Sequence, residues 1–187
     1  PNIGVITNIS EAHIKNFNNL KDIAKAKAEI IDNILEDGNI ILNKDSKFFS
    51  FLSNKAKKKG ISVISFSSKK KANVFLLGIR KIRNYYRLKI VVKNKIFYFD
   101  AEHSTNNFIN NILACISVLS ILNLDLHDIK KKFTKFTIPN GRGDVNIVKK
   151  FNKKFKFIDE SYNANPLSMT SAINNMNYYK VKNNAKK

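Results

Sequence analysis

The strongest constraint on the fold is an alternation in the first third of the chain. Three short, β-branched runs, "IGVITNI" (3–9), "NIILN" (39–43) and "ISVISF" (61–66), are separated by two longer segments with helical periodicity. Apolar runs of this length read as strands buried in an α/β sheet, and the intervening segments as helices packed on it. Residues 20–36 read as the first helix, with Gly38 just past its end in a C′ position; residues 47–59 read as the second. The pattern then changes. "NVFLLGIRK", "YYRLKIVV" and "KIFYFDA" are β-rich segments divided by short polar turns, which predicts an antiparallel meander. "NNFINNILACISVLSILNL" (106–124) reads as a buried helix and "DLHDIKKKFTKF" (125–136) as an amphipathic one. The clearest break is "IPNGRGD" (138–144); beyond it "VNIVKKF" and "KFKFIDE" resemble a hairpin, and "NPLSMTSAINNMNYY" starts a further helix.

Composition narrows the function classes. With 43% hydrophobic residues in 187, the chain can bury a sizeable core. No stretch approaches the roughly 20 apolar residues that span a bilayer, and the opening "PNIGVITNI" reads as a strand rather than a signal peptide. The single Cys115 excludes an internal disulfide, fits a reducing, cytoplasmic setting, and reads as a small core residue on its helix. The net charge of +20 is of the kind that marks nucleic-acid binding. Its excess, however, is lysine, with arginine only at Arg80, Arg83, Arg87 and Arg142, in a chain rich in Asn, Ile and Phe and poor in Gly and Pro. Those residues have A/T-rich codons, so the charge reads as base composition acting on solvated positions. No arginine stripe or interleaved aromatic platform accompanies it. Nucleic acid is therefore not an expected partner; a basic nucleic-acid-binding protein is the alternative from a different class.

Two lysines in "DIAKAKAEII" (22–31) differ in their setting. At about 100° per residue, Ile23, Lys27, Ile30 and Ile34 form one line, widened by Ala24, Ile31 and Leu35; Lys25 lies on the polar side with Asp32 and Glu36. Lys27 is thus inside the apolar arc. Two readings stay open. Its stem lies along apolar surface while the ammonium reaches water, or its amine points into a site, where desolvation would make it nucleophilic and able to form a Schiff base or to capture carbon dioxide as a carbamate.

His13 lies fourteen positions before Lys27 in "TNISEAHIKNF", and the helix "AKAKAEI" follows. That spacing resembles the ATP-dependent Mur ligase family. "NNFINNILA" resembles the family's Asn-x-x-Asn helix start, and "PNGRGD" its Gly-Arg segment at a domain junction. "IDESYNANPLSM" is very close to the Asp-x-x-Tyr-Asn-Ala-Asn-Pro stretch of the members that add D-alanyl-D-alanine to a UDP-N-acetylmuramoyl-tripeptide. Other amino-acid-adding members and folylpolyglutamate synthetases are the alternatives within the wider family.

The resemblance implies the fold and the site. The fold would be α/β: an incomplete central ATPase-type domain over residues 1–139, a mixed sheet with flanking helices and a small antiparallel meander. The start of a Rossmann-like C-terminal domain would follow over 140–187. His13 would be a magnesium ligand, and Lys27 a carbamylated lysine helping to hold magnesium. Asn107 and Asn110 would contact the adenine of ATP, Arg142 the phosphates and Asp159 the ribose. Asn8, Tyr162, Asn163 and Asn165 would lie on the substrate side. Members of the family also carry a phosphate loop ending in Gly-Lys-Ser/Thr, and these 187 residues contain no G-x-x-x-x-G-K-[ST] pattern. The expectation is a segment of a ligase of peptidoglycan precursor synthesis, inactive alone, its remaining domains supplied by the full-length protein.

Overall fold

The computed structural model describes residues 1–10, 17–136, 140–162, 164 and 166–176. Its first unit, Pro1–Phe136, holds six strands lying side by side in chain order: β1 (Ile3–Ile6), β2 (Asn39–Asn43), β3 (Ser62–Ser67), β4 (Val74–Ile82), β5 (Tyr85–Val92) and β6 (Lys95–Ala101). The first three are parallel, because α1 (Leu20–Asp32) and α2 (Phe49–Lys58) carry the chain back between them. β4 runs parallel to β3 over only two pairs, Phe66 with Val74 and Ser67 with Phe75. Tight turns then fold β4, β5 and β6 antiparallel; in the second, Lys93 and Asn94 both take left-handed backbone (φ 48° and 65°), as a hairpin turn of matching twist requires. The meander is therefore the continuation of the parallel sheet, making one mixed sheet flanked by helices.

The unbroken apolar runs follow from burial on both faces. On β2, Ile40 and Leu42 pack with Ile23, Ala24, Ala28 and Ile31 of α1 and with Leu52 and Ala56 of α2. Ile41, between them, points the other way, into a core with Phe66, Leu88, Ile90 and Phe99 and with Ile109, Leu113 and Ile116 of α3 (Asn106–Ile121). Arg87 crosses the meander to the buried Asp100, donating from Nε to Oδ1 at 2.7 Å and from its second nitrogen to Oδ2 at 3.1 Å.

Four expectations are corrected. The first helix stops at Asp32 rather than reaching 36, because the Lys59 amine takes the carbonyls of Ile31, Asp32 and Ile34 and the Leu35 N–H turns to the Pro1 carbonyl. Gly38 is not its C′ residue: the left-handed position belongs to Asp37 (φ 60°), and Gly38 is held by closeness, since a Cβ there would strike Ile34 Cγ2 and sit 2.8 Å from the Leu35 carbonyl. Residues 125–136 are not an α-helix but turns ending in a 3-10 segment, Lys132–Lys135. Their bonds span three residues, and the Lys130 carbonyl is committed to the Asp100 N–H of β6 at 2.8 Å. Cys115 is exposed: α3 turns Ile112, Leu113, Ala114 and Ile116 inward and leaves Cys115 on the outer side.

The second unit, Thr137–Lys187, contains a hairpin of β7 (Asp144–Lys150) and β8 (Lys153–Asp159), closed by Phe151 and Asn152 in left-handed backbone, and then α4 (Pro166–Met176). Among the described residues no helix is long and apolar enough to cross a membrane.

Candidate functional site

In an open α/β sheet, ligands are met at the carboxyl ends of the parallel strands. Here those ends are bound together by side chains. Beyond the last β1–β2 pair, Ile6 with Leu42, the buried Asn43 donates from Nδ2 to the Thr7 carbonyl at 3.1 Å and accepts the Asp45 N–H at 2.8 Å. Asp45 in turn accepts from the Ser67 hydroxyl at 2.7 Å and the Ser68 N–H at 2.8 Å, at the end of β3.

Lys27 reaches the same place from α1. Around the helix it lies between buried Ile23 and Ile31, as its spacing predicts, yet its side chain is exposed and its amine donates to the Asn8 carbonyl at 3.2 Å. The amine is therefore not desolvated: the stem leaves the apolar arc past the end of β1. Lys25, two residues earlier, forms an exposed ion pair with Asp22 at 3.2 Å. Lys27 and Asn8 are brought together; His13 lies outside the described residues.

Asn107 and Asn110 sit on α3, on the opposite face of the sheet from α1. Thr105 occupies the N-cap, so Asn107 does not cap the helix and is free to face outward, exposed. Asn110 is half-buried, and its Oδ1 is fully buried with no hydrogen-bond partner among the described residues. An orphaned buried acceptor carries a desolvation cost of about 1–3 kcal/mol unless a donor reaches it.

In the second unit, three expected residues converge on one turn. Gly141 and Gly143 are both left-handed (φ 75° and 93°), which folds the turn back onto the end of β8. The Gly141 carbonyl accepts the Tyr162 N–H at 2.9 Å, and the Gly143 N–H donates to the Asp159 carbonyl at 2.6 Å. Between them, the exposed Arg142 guanidinium lies 4.4 Å from the centre of the Tyr162 ring, a cation–π contact. The Ser161 hydroxyl and N–H hold the Asp159 carboxyl below the usual carboxylate range. Burial, followed by the charges of Asp144 and Asp159, pushes Glu160 above it. Asn163 and Asn165 lie outside the described residues.

Among the described residues no three His, Cys, Asp or Glu side chains are grouped to hold a metal. Lys27, as an ammonium donating to a carbonyl, has no lone pair to offer one. A groove of about 610 Å³ opens where β3 and β4 diverge, lined by Lys44, Asn73, Lys93 and Ser120, and includes none of the residues singled out above. Asn43, Asp45, Ser67 and Ser68 were not legible as site residues. The only trace of them was a polar residue ending each apolar run, in "NIILN" and "ISVISFS".

Residues 1–119 match the sequence model of the Mur ligase middle domain. A UDP-N-acetylmuramoyl-tripeptide–D-alanyl-D-alanine ligase of Buchnera aphidicola subsp. Baizongia pistaciae is 32% identical over 186 residues, 97% of this chain and 39% of the relative. That of Rickettsia prowazekii is 28% identical over 174 residues, 92% of this chain and 38% of the relative. A crystal structure of MurF from Acinetobacter baumannii superposes with a TM-score of 0.82 at 26% identity, covering 96% of this chain and 38% of that one. The chain thus spans about two fifths of the curated relatives it matches.

Proposed function

The chain belongs to the Mur ligase family, and we propose that it is a segment of an ATP-dependent ligase joining D-alanyl-D-alanine to UDP-N-acetylmuramoyl-tripeptide in the cytoplasm. The observation that carries the reading is the extent of the likeness: it runs over 92–97% of the chain in the D-alanyl-D-alanine-adding relatives, through "IDESYNANPLSM" in the second unit.

ATP, when bound, supplies the phosphoryl group that activates the tripeptide carboxylate toward the dipeptide amine. Each unit, taken by itself, offers groups suited to part of that nucleotide. The buried, unpartnered Oδ1 of Asn110 suits an N–H of the adenine, with Asn107 exposed one turn earlier. Arg142, fixed over Tyr162 and unpaired with any carboxylate among the described contacts, offers a positive fork to phosphate oxygens. Asp159, kept ionised by Ser161, offers an acceptor to ribose hydroxyls. On the family resemblance, Tyr162, Asn163, Asn165 and Asn8 are assigned to the substrate side. The roles of His13 and Lys27 toward magnesium rest on the family resemblance, and Lys27 becomes a metal ligand only if its amine is converted to a carbamate anion. No step is routed through the ion.

The test is phosphate release by the full-length protein. Release that requires both UDP-N-acetylmuramoyl-tripeptide and D-alanyl-D-alanine is expected, and these 187 residues alone should release none. Release driven by a single amino acid in place of the dipeptide would refute the substrate assignment.

A further inference from the structure

We infer that Asn43 is a positioning residue: by fixing the Thr7–Asn8 segment at the end of β1, it sets where the Lys27 amine lies. The carbonyls of Thr7 and Asn8 are each engaged by a side chain from a different element, Asn43 from β2 and Lys27 from α1. Asn43 is 9% exposed and its amide is used at both ends, the nitrogen on the Thr7 carbonyl and the oxygen on the Asp45 N–H. Only an amide of this length both donates and accepts there; a carboxylate has no donor for the Thr7 carbonyl, and an alkyl group has neither.

The clamp is itself anchored. The Asp45 carboxylate holds the Ser67 hydroxyl and both the N–H and hydroxyl of Ser68, and the Ser67 oxygen accepts the N–H groups of Lys69 and Lys70. The carboxyl ends of β1, β2 and β3 are therefore one hydrogen-bonded assembly, and the Asn8 carbonyl beside it is the one the lysine takes. A buried amide so fully satisfied costs stability when removed, but the consequence specific to positioning appears at Lys27, in a different element.

The value of this placement in a reaction rests on the ligase reading; the placement itself does not, and it is tested without nucleotide or substrate. Trace acetylation of the full chain, read by mass spectrometry, gives the labelling of Lys27 relative to Lys25, on the same helix two residues away. Loosening of α1 moves both lysines; release of the Asn8 carbonyl moves only Lys27. In Asn43→Ala, and in Asn43→Ser, which is too short to span to Thr7, the Lys27-to-Lys25 ratio is expected to rise about threefold, as an amine freed from one exposed hydrogen bond reacts more readily. An unchanged ratio in a folded variant overturns the inference. So does loss of folding in both variants, which would make Asn43 a support of the sheet alone. In the full-length protein, Asn43→Ala is expected to lower kcat while KM for ATP holds. A raised labelling ratio in a protein without ligase activity would leave the placement standing and remove the ligase reading.

Discussion

Gly60 and Gly141 give a controlled measurement of how tightly the Arg142 turn is built. Both have the same backbone, φ 74° and 75°, so replacing either with alanine incurs the same left-handed strain, about 1–2 kcal/mol. Their surroundings differ. A Cβ on Gly60 meets nothing within 4 Å, whereas on Gly141 it lies 2.9 Å from Tyr162 Cβ, 3.0 Å from Tyr162 N and 3.3 Å from Ser161 Oγ. The two nearest atoms are a backbone nitrogen and the root of a side chain, which cannot swing aside by a rotamer change. Overpacking of that kind adds about 1–3 kcal/mol. Gly141→Ala should therefore cost about 2–5 kcal/mol, and Gly60→Ala only the first part.

Amide hydrogen exchange reads both locally. The Tyr162 and Gly143 N–H groups, bonded to the Gly141 and Asp159 carbonyls, report on the Arg142 turn. The Ile61 N–H, bonded to the Ala56 carbonyl at 3.0 Å, reports on the other. The Gly141→Ala pair should accelerate about tenfold more than the Gly60→Ala amide, since each 1.4 kcal/mol is about tenfold. The Arg142 side-chain protons should also lose the ring-current shift of their stack on Tyr162. Equal acceleration at the two sites would refute the argument, because it would mean that the turn has room for a methyl group and that Arg142 is not held by close packing.

Three further outcomes are expected. Lys59→Met keeps the stem but removes the cation from the carbonyls of Ile31, Asp32 and Ile34, and should cost about 0.5–1 kcal/mol in urea denaturation, less at high salt. Glu160→Gln should stabilise the hairpin unit at neutral pH: a carboxyl raised in the folded state contributes stability that is present below its unfolded pKa and is lost as pH rises through the folded one, so the gain over wild type should vanish below about pH 4. Asp159 has the opposite sign, its stability present above the unfolded pKa and lost as pH falls through the folded one, and Ser161→Ala should reduce that acid sensitivity.

The parts of the fold that were legible share one property: the information is local. "NIILN" is β2 to the residue: its inner run Ile40–Leu42 is apolar because it is buried on both faces, and a polar residue ends it on each side. The two-residue turn at Lys93 and Asn94 follows from polar residues between alternating runs. The errors occur where a distant group decides. Nothing in residues 20–36 announces that Lys59, from the end of α2, will take the carbonyls that end α1. Nothing in "DLHDIKKKFTKF", which has helical spacing, shows that the Asp100 N–H on an edge strand will claim the Lys130 carbonyl and hold the segment in turns. Cys115 was misplaced for a related reason: α3 is apolar nearly all round, so its sequence does not say which side meets the sheet.

Lys27 carries the same lesson into the candidate site. Helical periodicity correctly put it between Ile23 and Ile31, but periodicity describes a cross-section and says nothing about position along the axis. At that level of α1 the neighbouring strand has already ended, at Ile6, and the exposed Lys27 side chain places its amine on the Asn8 carbonyl, while Ile23 and Ile31 on either side of it are buried. What decides the fate of its amine is therefore the length of β1 and the Asn43 clamp beyond it, neither of which is written in the helix. Asn110 is the complementary case: the helix start was legible, and the residue at its buried edge is left with an acceptor that the described residues do not satisfy. Both point to the same physical condition for a site in this fold: polar atoms placed at the ends of apolar elements, where the sheet stops supplying partners and a ligand can.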